Sequence, residues 1–409
     1  MSARPLEAVV VLAGADTMPW WLGGSLAVGV AGLEMAGHSV AALAAELDVP
    51  LYLYDATRVR GQVAELRAAL APFREARICY AMKANRFGPL LNLMRREGVD
   101  IDACSPREVA AARGAGFVAA QISVTASSLS DADLRAFAAA GVHVTFDHAP
   151  TLLRYARLVH RGTHIGLRID PGVHVGYGVN SRTDYGDSRL GLAPADADAA
   201  LAAARDAGLV VDTLHMHLGW GMRGQDEAGF RRALGVLADI APRVADLRCI
   251  NVGGGLGGRL RQGDDPLRAE RWAAAIADVF GHDGPAIACE LGTYLVAGAG
   301  ILVAQVTTTW TKNGERWAGL NVGQAANVYA VHYGLELEFV VADRPLAAAT
   351  ERVSIGGNIN ESGDVFARQR LLPPLAEGDR VAILPAGAYG SSMASDHCLR
   401  GAFSERLLP

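Results

Sequence analysis

Short apolar runs alternate with longer stretches rich in alanine and leucine between residues 51 and 300. Apolar runs of this length are typical of buried strands, and the stretches between them suit helices. The pattern predicts eight strands, at 78–81, 100–103, 121–125, 143–146, 164–168, 213–217, 249–252 and 286–289, with helices between them, as at 106–114, 130–140, 195–207 and 227–240. Repeated strand–helix units favour an α/β fold with a closed (β/α)8 barrel of the TIM type, and an open doubly wound sheet is the alternative.

The alternation ends near residue 300. Beyond it, turns separate predicted strands at 301–309, 316–321, 336–341, 352–355 and 380–385, which indicates a β-barrel or β-sandwich domain. The early chain has a predicted helix at 40–47, a strand at 51–54 and a helix at 56–70. We therefore expect an N-terminal segment at 1–50, a barrel domain at 51–300 and a β-domain at 301–409, with the N-terminal segment packing against the β-domain.

Composition excludes some classes of function. The 409 residues are 51% hydrophobic and 20% charged, with a net charge of -5, which is typical of a globular protein with a large core. No basic stripe predicts nucleic-acid binding, and the apolar stretches are too short and broken to predict a membrane span. The five cysteines are scattered, which favours reduced thiols over a disulfide framework or a zinc site. We expect a cytoplasmic protein without nucleic-acid or membrane partners.

Side chains that can do chemistry follow the predicted strands. A barrel places its active site at the C-terminal ends of its strands, so these residues should converge on one rim. They comprise Lys83, Asp102, Cys104, Arg168, Asp170, His215, His217, the glycines at 253–258 and Glu290.

Each of these residues has a chemical interpretation and an ordinary one. A buried lysine can form a Schiff base, or it can leave its strand for solvent. Glycines let backbone amides cradle a phosphate, or they form a simple turn. His217 can stack on a flat cofactor or belong to the core, and Glu290 can pair with a protonated pyridine nitrogen or form an ion pair. His215 and His217 share a face without a third ligand at a familiar spacing, so we predict no metal. Together the residues predict pyridoxal 5'-phosphate as the cofactor.

The chain contains six motifs in a fixed order: Tyr80-Ala-Met-Lys83-Ala-Asn85, His215-Met-His217-Leu-Gly219, Asn251-Val-Gly253-Gly254-Gly255, Glu290-Leu-Gly292, Glu361-Ser-Gly363-Asp364-Val365 and Gly387-Ala-Tyr389-Gly390. In these motifs and their order the chain resembles the fold-type III pyridoxal phosphate enzymes, the group of diaminopimelate, ornithine and arginine decarboxylases that shares its barrel with alanine racemase. The resemblance runs from about residue 51 to residue 401.

The resemblance implies a role for each matching residue. Lys83 carries the cofactor, His217 stacks on its ring and Glu290 holds its pyridine nitrogen. Contacts to the cofactor are also implied for Asp102, Glu108, Arg168, Gly253, Gly254, Gly255, Gly292 and Tyr389. In this family the segment at 361–364 reaches the active site of the partner in a homodimer, so Glu361 and Asp364 are expected to act across the interface.

Departures from the family concern the substrate. Asn360 stands where the family has a cysteine that supports protonation; we keep it as a catalytic position, although an amide is not an acid. Trp220 replaces a serine, Thr293 replaces an arginine, and Tyr329 aligns with a second arginine. We assign Thr293, Tyr329, Tyr333, Glu361 and Asp364 to substrate binding, and we expect a substrate without a distal carboxylate held in the family's usual way.

The predicted function is therefore decarboxylation of an amino acid or a derivative of one, through a Schiff base at Lys83 and a quinonoid intermediate. Alternatives are decarboxylation-dependent transamination, racemisation or epimerisation, and a non-catalytic homologue that binds the cofactor. Cys398 is either a displaced active-site thiol or a structural cysteine.

Overall fold

The computed structural model describes residues 18–47, 50–177, 184–186 and 188–409. Its first elements are a small antiparallel sheet and one helix: β1 (Leu26–Gly29), β2 (Gly32–Met35), β3 (His38–Ser39) and α1 (Val40–Glu46). Strand β4 (Leu51–Asp55) and helix α2 (Ala56–Leu70) follow. Ser39 and Asp55 cap the two helices, because their side chains accept hydrogen bonds from the amides of Ala42 and Arg58.

Eight parallel strands then close into a barrel, which confirms the predicted fold class. They are β5 (Ala76–Ala81), β6 (Asp100–Ala103), β7 (Ile122–Thr125), β8 (His143–Phe146), β9 (His164–Arg168), β10 (Val210–His215), β11 (Cys249–Asn251) and β12 (Ala286–Leu291). Each strand pairs with the next along the chain, and β12 closes the ring on β5. The C-terminal ends of all eight strands therefore meet at one rim.

Helices cover the outside of the barrel. After α2 they are α3 (Gly88–Arg96), α4 (Pro106–Gly114), α5 (Asp131–Ala140), α6 (Ala149–Ala156), α7 (Ala197–Asp206), α8 (Glu227–Ile240) and α9 (Ala269–Phe280). Helix α2 precedes the first barrel strand and packs against α9. It takes the place of the eighth outer helix, because β12 is followed by an α-helix of only four residues, Thr293–Val296. Among the described helices, none combines the length and the apolar character needed to cross a bilayer.

Three of the eight predicted C-terminal strand ends differ from the structure. Strand β11 ends at Asn251 rather than at residue 252, and β12 continues to Leu291, so Glu290 lies within it. The sequence places His217 inside the sixth strand, but β10 ends at His215. The neighbouring strand β11 ends at Asn251, and Gly253 (φ +65°) turns its chain away, so β10 has no partner on that side beyond this point. His217 therefore belongs to the loop after the strand.

The remaining elements form a β-domain with a mixed sheet. They are α10 (Thr293–Val296), β13 (Gly300–Lys312), β14 (Glu315–Leu320), α11 (Val328–Tyr333), β15 (Glu338–Val341), β16 (Glu351–Gly356), β17 (Val365–Leu372), β18 (Arg380–Leu384), α12 (Gly390–Met393) and β19 (Ser404–Leu408). The sheet runs β15-β18-β13-β14-β16-β17, and β4 pairs with both β13 and β19. The sequence prediction missed β17 and β19.

Strand β4 joins the N-terminal segment to the β-domain. Leu51 and Leu53 face an apolar cluster shared by the N-terminal segment and the sheet, whereas Tyr52 and Tyr54 face the core of the β-domain. The sequence assigned this strand to the barrel domain, but both its edges pair with strands of the β-domain, β13 and β19. The barrel is thus inserted between two parts of one sheet.

Candidate active site

The turn after β5 presents Lys83 to the rim of the barrel. Its geometry comes from the residues on either side: the hydroxyl of Tyr80 donates to the carbonyl oxygen of Asn85 at 2.8 Å. The Asn85 side chain donates to the carbonyl of Gly387 at 3.1 Å and accepts from the amide of Phe87 at 2.9 Å. The motif around Lys83 therefore folds the turn and fastens it to the β-domain.

Asp102 and Cys104 lie next to Lys83. The Lys83 Nζ is 3.5 Å from Asp102 Oδ2 and 3.5 Å from Cys104 Sγ. Asp102 is fully buried, and burial together with the nearby charge of Glu290 raises the pKa of Asp102. Glu108 does not reach the cluster; its carboxylate accepts a hydrogen bond from the Cys104 amide at 2.6 Å and so fixes the backbone there.

Glu290 lies at the centre of a buried hydrogen-bond network. Its Oε2 is 3.0 Å from Nε2 of His215, and its Oε1 accepts from Asn251 Nδ2 at 2.7 Å and from Thr125 Oγ1 at 3.3 Å. Burial raises the pKa of Glu290, but His215, Lys83 and Asn251 outweigh it and hold that pKa at about 2. Burial lowers the pKa of His215, so a neutral ring donates to an ionised carboxylate. His215, which the sequence left open, is thus a partner of Glu290.

The glycine run orients side chains as well as presenting amides. The Gly254 amide donates to His217 Nδ1 at 3.0 Å, and the Gly253 amide donates to Asn251 Oδ1 at 2.9 Å. A Cβ on Gly254 would lie 2.5 Å from the carbonyl oxygen of Glu290, so only glycine fits there. Two of the amides predicted to hold a phosphate are therefore occupied within the protein, and the amide of Gly255 has no acceptor among the described residues.

Arg168 and Tyr389 reach the same cavity from opposite sides. Arg168 is 8% exposed, and no carboxylate in the described part of the chain pairs with its guanidinium. The Tyr389 amide donates to the carbonyl of Ala84 at 2.6 Å, beside Lys83, and burial raises the pKa of the Tyr389 hydroxyl. A Cβ on Gly292 would lie 2.8 Å from Ala84 Cβ and 3.2 Å from the Tyr389 oxygen, so glycine permits this close packing.

Trp220, Tyr329 and Tyr333 form one side of the cavity, which we call the aromatic wall. The ring centroids of Trp220 and Tyr333 are 5.2 Å apart, and those of Tyr329 and Tyr333 are 5.0 Å apart. The Trp220 indole N–H is buried and has no partner among the described residues. The cavity has a volume of about 310 Å³, and Thr293 lines it together with the aromatic wall and Lys83.

Besides Glu108, five predicted residues do not line this cavity in their own chain: Asp102, Gly253, Asn360, Glu361 and Asp364. Asn360 and Glu361 are exposed, and Glu361 Oε1 lies 3.0 Å from Nε2 of His397. Asp364 is 5% exposed, and its carboxylate accepts from the amides of Gln324 and Ile359. The Asp364 side chain thus holds its own loop together, and the role across a dimer interface stays a prediction for this segment.

Several residues of the site were missed by sequence reasoning. Thr125 and Asn251 are the last residues of β7 and β11, so the rule applied to Lys83 and Glu290 would have found them. Tyr185, whose ring meets His217 edge-on at 4.7 Å, and Arg189, which donates to Ser127 at 3.0 Å, come from the long loop after β9. No periodic pattern marks residues in such a loop.

The donor and acceptor groups fit pyridoxal 5'-phosphate. Lys83 offers a primary amine, Glu290 offers an ionised carboxylate for a protonated ring nitrogen, and His217 offers a ring. Burial lowers the pKa of His217 well below its usual value, which keeps that ring neutral. The Arg168 guanidinium and the Gly255 amide are hydrogen-bond donors that suit the anionic oxygens of a phosphate group. The residues that would hold the cofactor are therefore Lys83, Arg168, His217, Gly255 and Glu290.

Comparisons with known proteins identify the family to which the chain belongs. The family model of the pyridoxal-dependent decarboxylases, pyridoxal binding domain, matches residues 57–297. Diaminopimelate decarboxylase of Methanothermobacter thermautotrophicus is 32% identical over 378 residues, which cover 89% of this chain and 88% of that protein. The enzyme of the same name from Deinococcus radiodurans is 32% identical over 376 residues, which cover 90% and 92%.

Solved structures extend the likeness to both domains. A crystal structure of a diaminopimelate decarboxylase has a TM-score of 0.77 at 29% identity and covers 87% of each chain. The Helicobacter pylori diaminopimelate decarboxylase complexed with L-lysine has a TM-score of 0.80 at 23% identity, covers 90% of this chain and 94% of that one, and shares the fold. The chain belongs to the pyridoxal-dependent decarboxylases, lyases that act on amino acids with pyridoxal 5'-phosphate as their cofactor.

Proposed function

We propose that this decarboxylase acts on an amino acid whose side chain ends in a neutral group, either flat or bulky and apolar. The observation that carries the proposal is the aromatic wall in the cavity of Lys83. The substrate amine must take the place of the lysine amine, so its side chain has to lie in the same cavity. Aromatic rings bind flat and apolar groups through buried area and ring contacts.

The charges around the cavity support a neutral side chain. Glu290 is the only carboxylate that lines it among the described residues, and its oxygens are already bound by His215, Asn251 and Thr125. A distal ammonium group would therefore be desolvated without a counterion, which is costly. On the outer side, the guanidinium groups of Arg223 and Arg261 lie 5.6 and 5.3 Å from the ring of Tyr177, which stacks on Trp220. Both guanidinium groups are paired with aspartates, Asp226 and Asp264, so the charges on this outer side are balanced within the chain.

The residues of the chain have separate tasks in the proposed reaction. When it is bound, pyridoxal phosphate supplies an electron sink for the bond that breaks at the α-carbon. Lys83 would hold the cofactor through its amine, which the substrate amine would replace, and Glu290, which is ionised, would face the ring nitrogen and favour its protonated form. His217, aligned by Gly254, fixes one face of the site, and the aromatic wall excludes water from the side-chain pocket.

Diaminopimelate is the second candidate substrate. The relatives that carry its name match nine-tenths of the chain, as in the Deinococcus radiodurans enzyme. Arg189 lines the cavity and is held by the hydroxyls of Ser127 and Ser128, at 3.0 and 3.4 Å from its Nη1. This guanidinium is placed at the mouth, where it could bind a distal carboxylate.

Release of carbon dioxide from a panel of amino acids decides between the two. Purified protein loaded with pyridoxal phosphate is offered phenylalanine, tyrosine, leucine, lysine, ornithine and diaminopimelate. We expect kcat/KM for the best neutral substrate to exceed that for diaminopimelate at least tenfold, and Trp220→Ser to reduce that preference. Turnover of diaminopimelate alone, lost in Arg189→Gln and kept in Trp220→Ser, would overturn the proposal.

We also propose that the enzyme is a homodimer with shared active sites. Glu361 is exposed and lies outside its own cavity, which supports a role in a partner. Mixing equal amounts of Lys83→Ala and Glu361→Ala, each inactive alone, should restore about a quarter of the wild-type specific activity, because about half of the dimers are then mixed and each mixed dimer has one intact site of two. Sedimentation showing only monomers, or no recovery on mixing and subunit exchange, would contradict the dimer.

A reducing compartment such as the cytoplasm suits the cysteines. All five are free thiols: Cys79 and Cys289 are buried, Cys104 and Cys249 are partly buried, and Cys398 is exposed. Structural disulfides are typical of oxidising compartments. Fractionation of the source cells that recovers the activity outside the cytoplasmic fraction would contradict this assignment.

A further inference from the structure

Lys83, Asp102 and Cys104 form a cluster at the ends of β5 and β6. The ammonium of Lys83 contacts both Asp102 Oδ2 and Cys104 Sγ at 3.5 Å. The other oxygen of the fully buried Asp102 has no hydrogen-bond partner among the described residues, so the cluster has a polar atom still to be satisfied by a ligand or a proton. We propose that the Cys104 thiol delivers the proton that replaces the carboxylate on the substrate's α-carbon, and that Lys83 returns a proton to it.

Other side chains in the cavity are poor proton donors. Glu290 is ionised, since its pKa is held at about 2 against the effect of burial. Burial keeps the His217 ring neutral, and its Nδ1 accepts a hydrogen bond from the Gly254 amide. The ring is therefore not an imidazolium that could act as an acid. Burial raises the pKa of the Tyr329, Tyr333 and Tyr389 hydroxyls from an ordinary value of about 10, whereas a thiol starts from about 8.5, so the same burial leaves these phenols the weaker acids. Among the described residues of the cavity, Lys83 and the Cys104 thiol remain, together with the Tyr185 hydroxyl, whose ring meets His217 edge-on; of these three groups, Lys83 and Cys104 contact each other.

The orientation of Cys104 suits the transfer. Lys83 donates to the sulfur, so the S–H bond of the thiol stays free to point into the cavity. The backbone is fixed on both sides, because the Cys104 amide donates to Glu108 and the Ser105 side chain caps α4 by accepting from the Glu108 amide. Burial raises the pKa of the Cys104 thiol to about 12 in spite of Lys83, so the thiol carries its proton at neutral pH.

The transfer is balanced within the cluster. Departure of carbon dioxide leaves a bonding electron pair at the α-carbon; the S–H bond breaks, a C–H bond forms with that pair, and the sulfur becomes a thiolate. The ammonium of Lys83 then gives a proton to the thiolate and becomes a neutral amine. Neutral Lys83 is the form that can attack as a nucleophile and release the product. One proton from solvent restores the cluster in each turnover.

Alkylation of the cofactor-free protein tests the contact without any turnover. Iodoacetamide labelling of Cys104 is followed by peptide mass spectrometry across pH in the wild type and in Lys83→Met. Removal of the cation beside the sulfur disfavours the thiolate, so we expect labelling of Cys104 at pH 8 to slow at least fivefold in Lys83→Met. Exposed Cys398 in the same samples is the control and should label at an unchanged rate. If Cys104 is alkylated at the same rate in both proteins, Lys83 does not act on the thiol, and its proposed role in returning a proton is wrong.

Product analysis in deuterium oxide tests the transfer itself. Any amino acid that releases carbon dioxide serves as substrate, so the result does not depend on which side chain the enzyme prefers. The wild type should place one deuterium on the α-carbon in a single configuration. Cys104→Ala should give both configurations, with at least a tenfold larger share of aldehyde and pyridoxamine phosphate per carbon dioxide released.

Two further variants complete this test. Cys104→Ser, which keeps the size of the side chain but is a weaker acid, should resemble Cys104→Ala, and Cys398→Ser should resemble the wild type. Wild-type product ratio and configuration in a folded Cys104→Ala or Cys104→Ser would overturn the proposal. If no amino acid releases carbon dioxide, the proposed function fails, and with it the role of the thiol in proton delivery; the labelling result then reports only on the Lys83–Cys104 contact.

Discussion

Strand β10 carries a histidine–carboxylate cluster at each of its ends. At the C-terminal end, His215 Nε2 lies 3.0 Å from Glu290 and both side chains are almost completely buried. At the N-terminal side, Asp212 lies 2.9 Å from His143 Nε2 and 3.0 Å from His164 Nδ1, and the two rings are 27% and 36% exposed. A histidine–carboxylate pair is thus buried at one end of the barrel and partly exposed to solvent at the other.

The difference in solvent access separates a reactive site from a structural one. Around Glu290, burial favours neutral groups, so the ionised carboxylate is held by neutral donors and has no cation of its own apart from nearby Lys83. Around Asp212, the Thr213 hydroxyl shares the charge with two partly exposed histidines. The buried cluster is prepared for a cationic ring, whereas the exposed cluster ties three strands together at the end of the barrel that is devoted to stability.

Glu290→Gln should have the largest effect, because it breaks the buried cluster. The amide keeps the shape but cannot keep a ring nitrogen protonated, so we expect kcat/KM for carbon dioxide release to fall about 10³-fold. The matched change at the other end, Asp212→Asn, should leave kcat/KM within about threefold. Similar losses in both variants would show that the clusters do not differ in role.

Substitution of His215 should have an intermediate effect that depends on the replacement. Glutamine keeps a neutral donor toward Glu290, so we expect His215→Gln to stay within about fivefold of the wild type. His215→Leu removes the donor; burial then raises the pKa of Glu290, and the acid limb of the pH profile of kcat/KM should move to higher pH. An equal loss in both variants would indicate a charged His215 instead.

Asp212→Asn should have the smallest effect, and on stability alone. We expect the free energy of unfolding to fall by about 1–2 kcal/mol at pH 7, since hydrogen bonds from His143 and Thr213 to a charge are weakened. Burial raises the pKa of Asp212, but the hydrogen bonds and the nearby His164 have the larger combined effect. The pKa of Asp212 is therefore below its usual value. The stabilisation is therefore present above the usual pKa of about 4 and is lost as pH falls through the lower folded value. Unfolding curves at pH 7 and pH 3 should show the difference from wild type shrinking.

Sequence reasoning located the barrel and the cofactor end of its site because both depend on local patterns. The eight strands are apolar runs, and Lys83 and Glu290 stand at strand ends, where position alone implies a place on the rim. The role of His215 was not predictable, since its partner lies 75 residues away and only the closed barrel brings them together.

The missed elements have a different cause. Strand β17 contains Arg368, Gln369 and Arg370 and has few buried residues, so it lacks the apolar run that marks a strand. Strand β19 gains its place only by pairing with β4, which is about 350 residues earlier in the chain. Cys104 was noted at a strand end but not assigned to the site, because its importance comes from a contact with Lys83 that spacing does not reveal.

The double pairing of β4 fixes an order of events during synthesis. Leu51–Asp55 leaves the ribosome before the barrel, yet one of its two neighbours is Ser404–Leu408. The barrel can close on its own contacts while this strand still has an open edge, which is a surface prone to wrong pairing. We therefore expect the second domain to assemble last, and a nascent chain that stalls before Leu408 to carry a folded barrel beside an incomplete sheet.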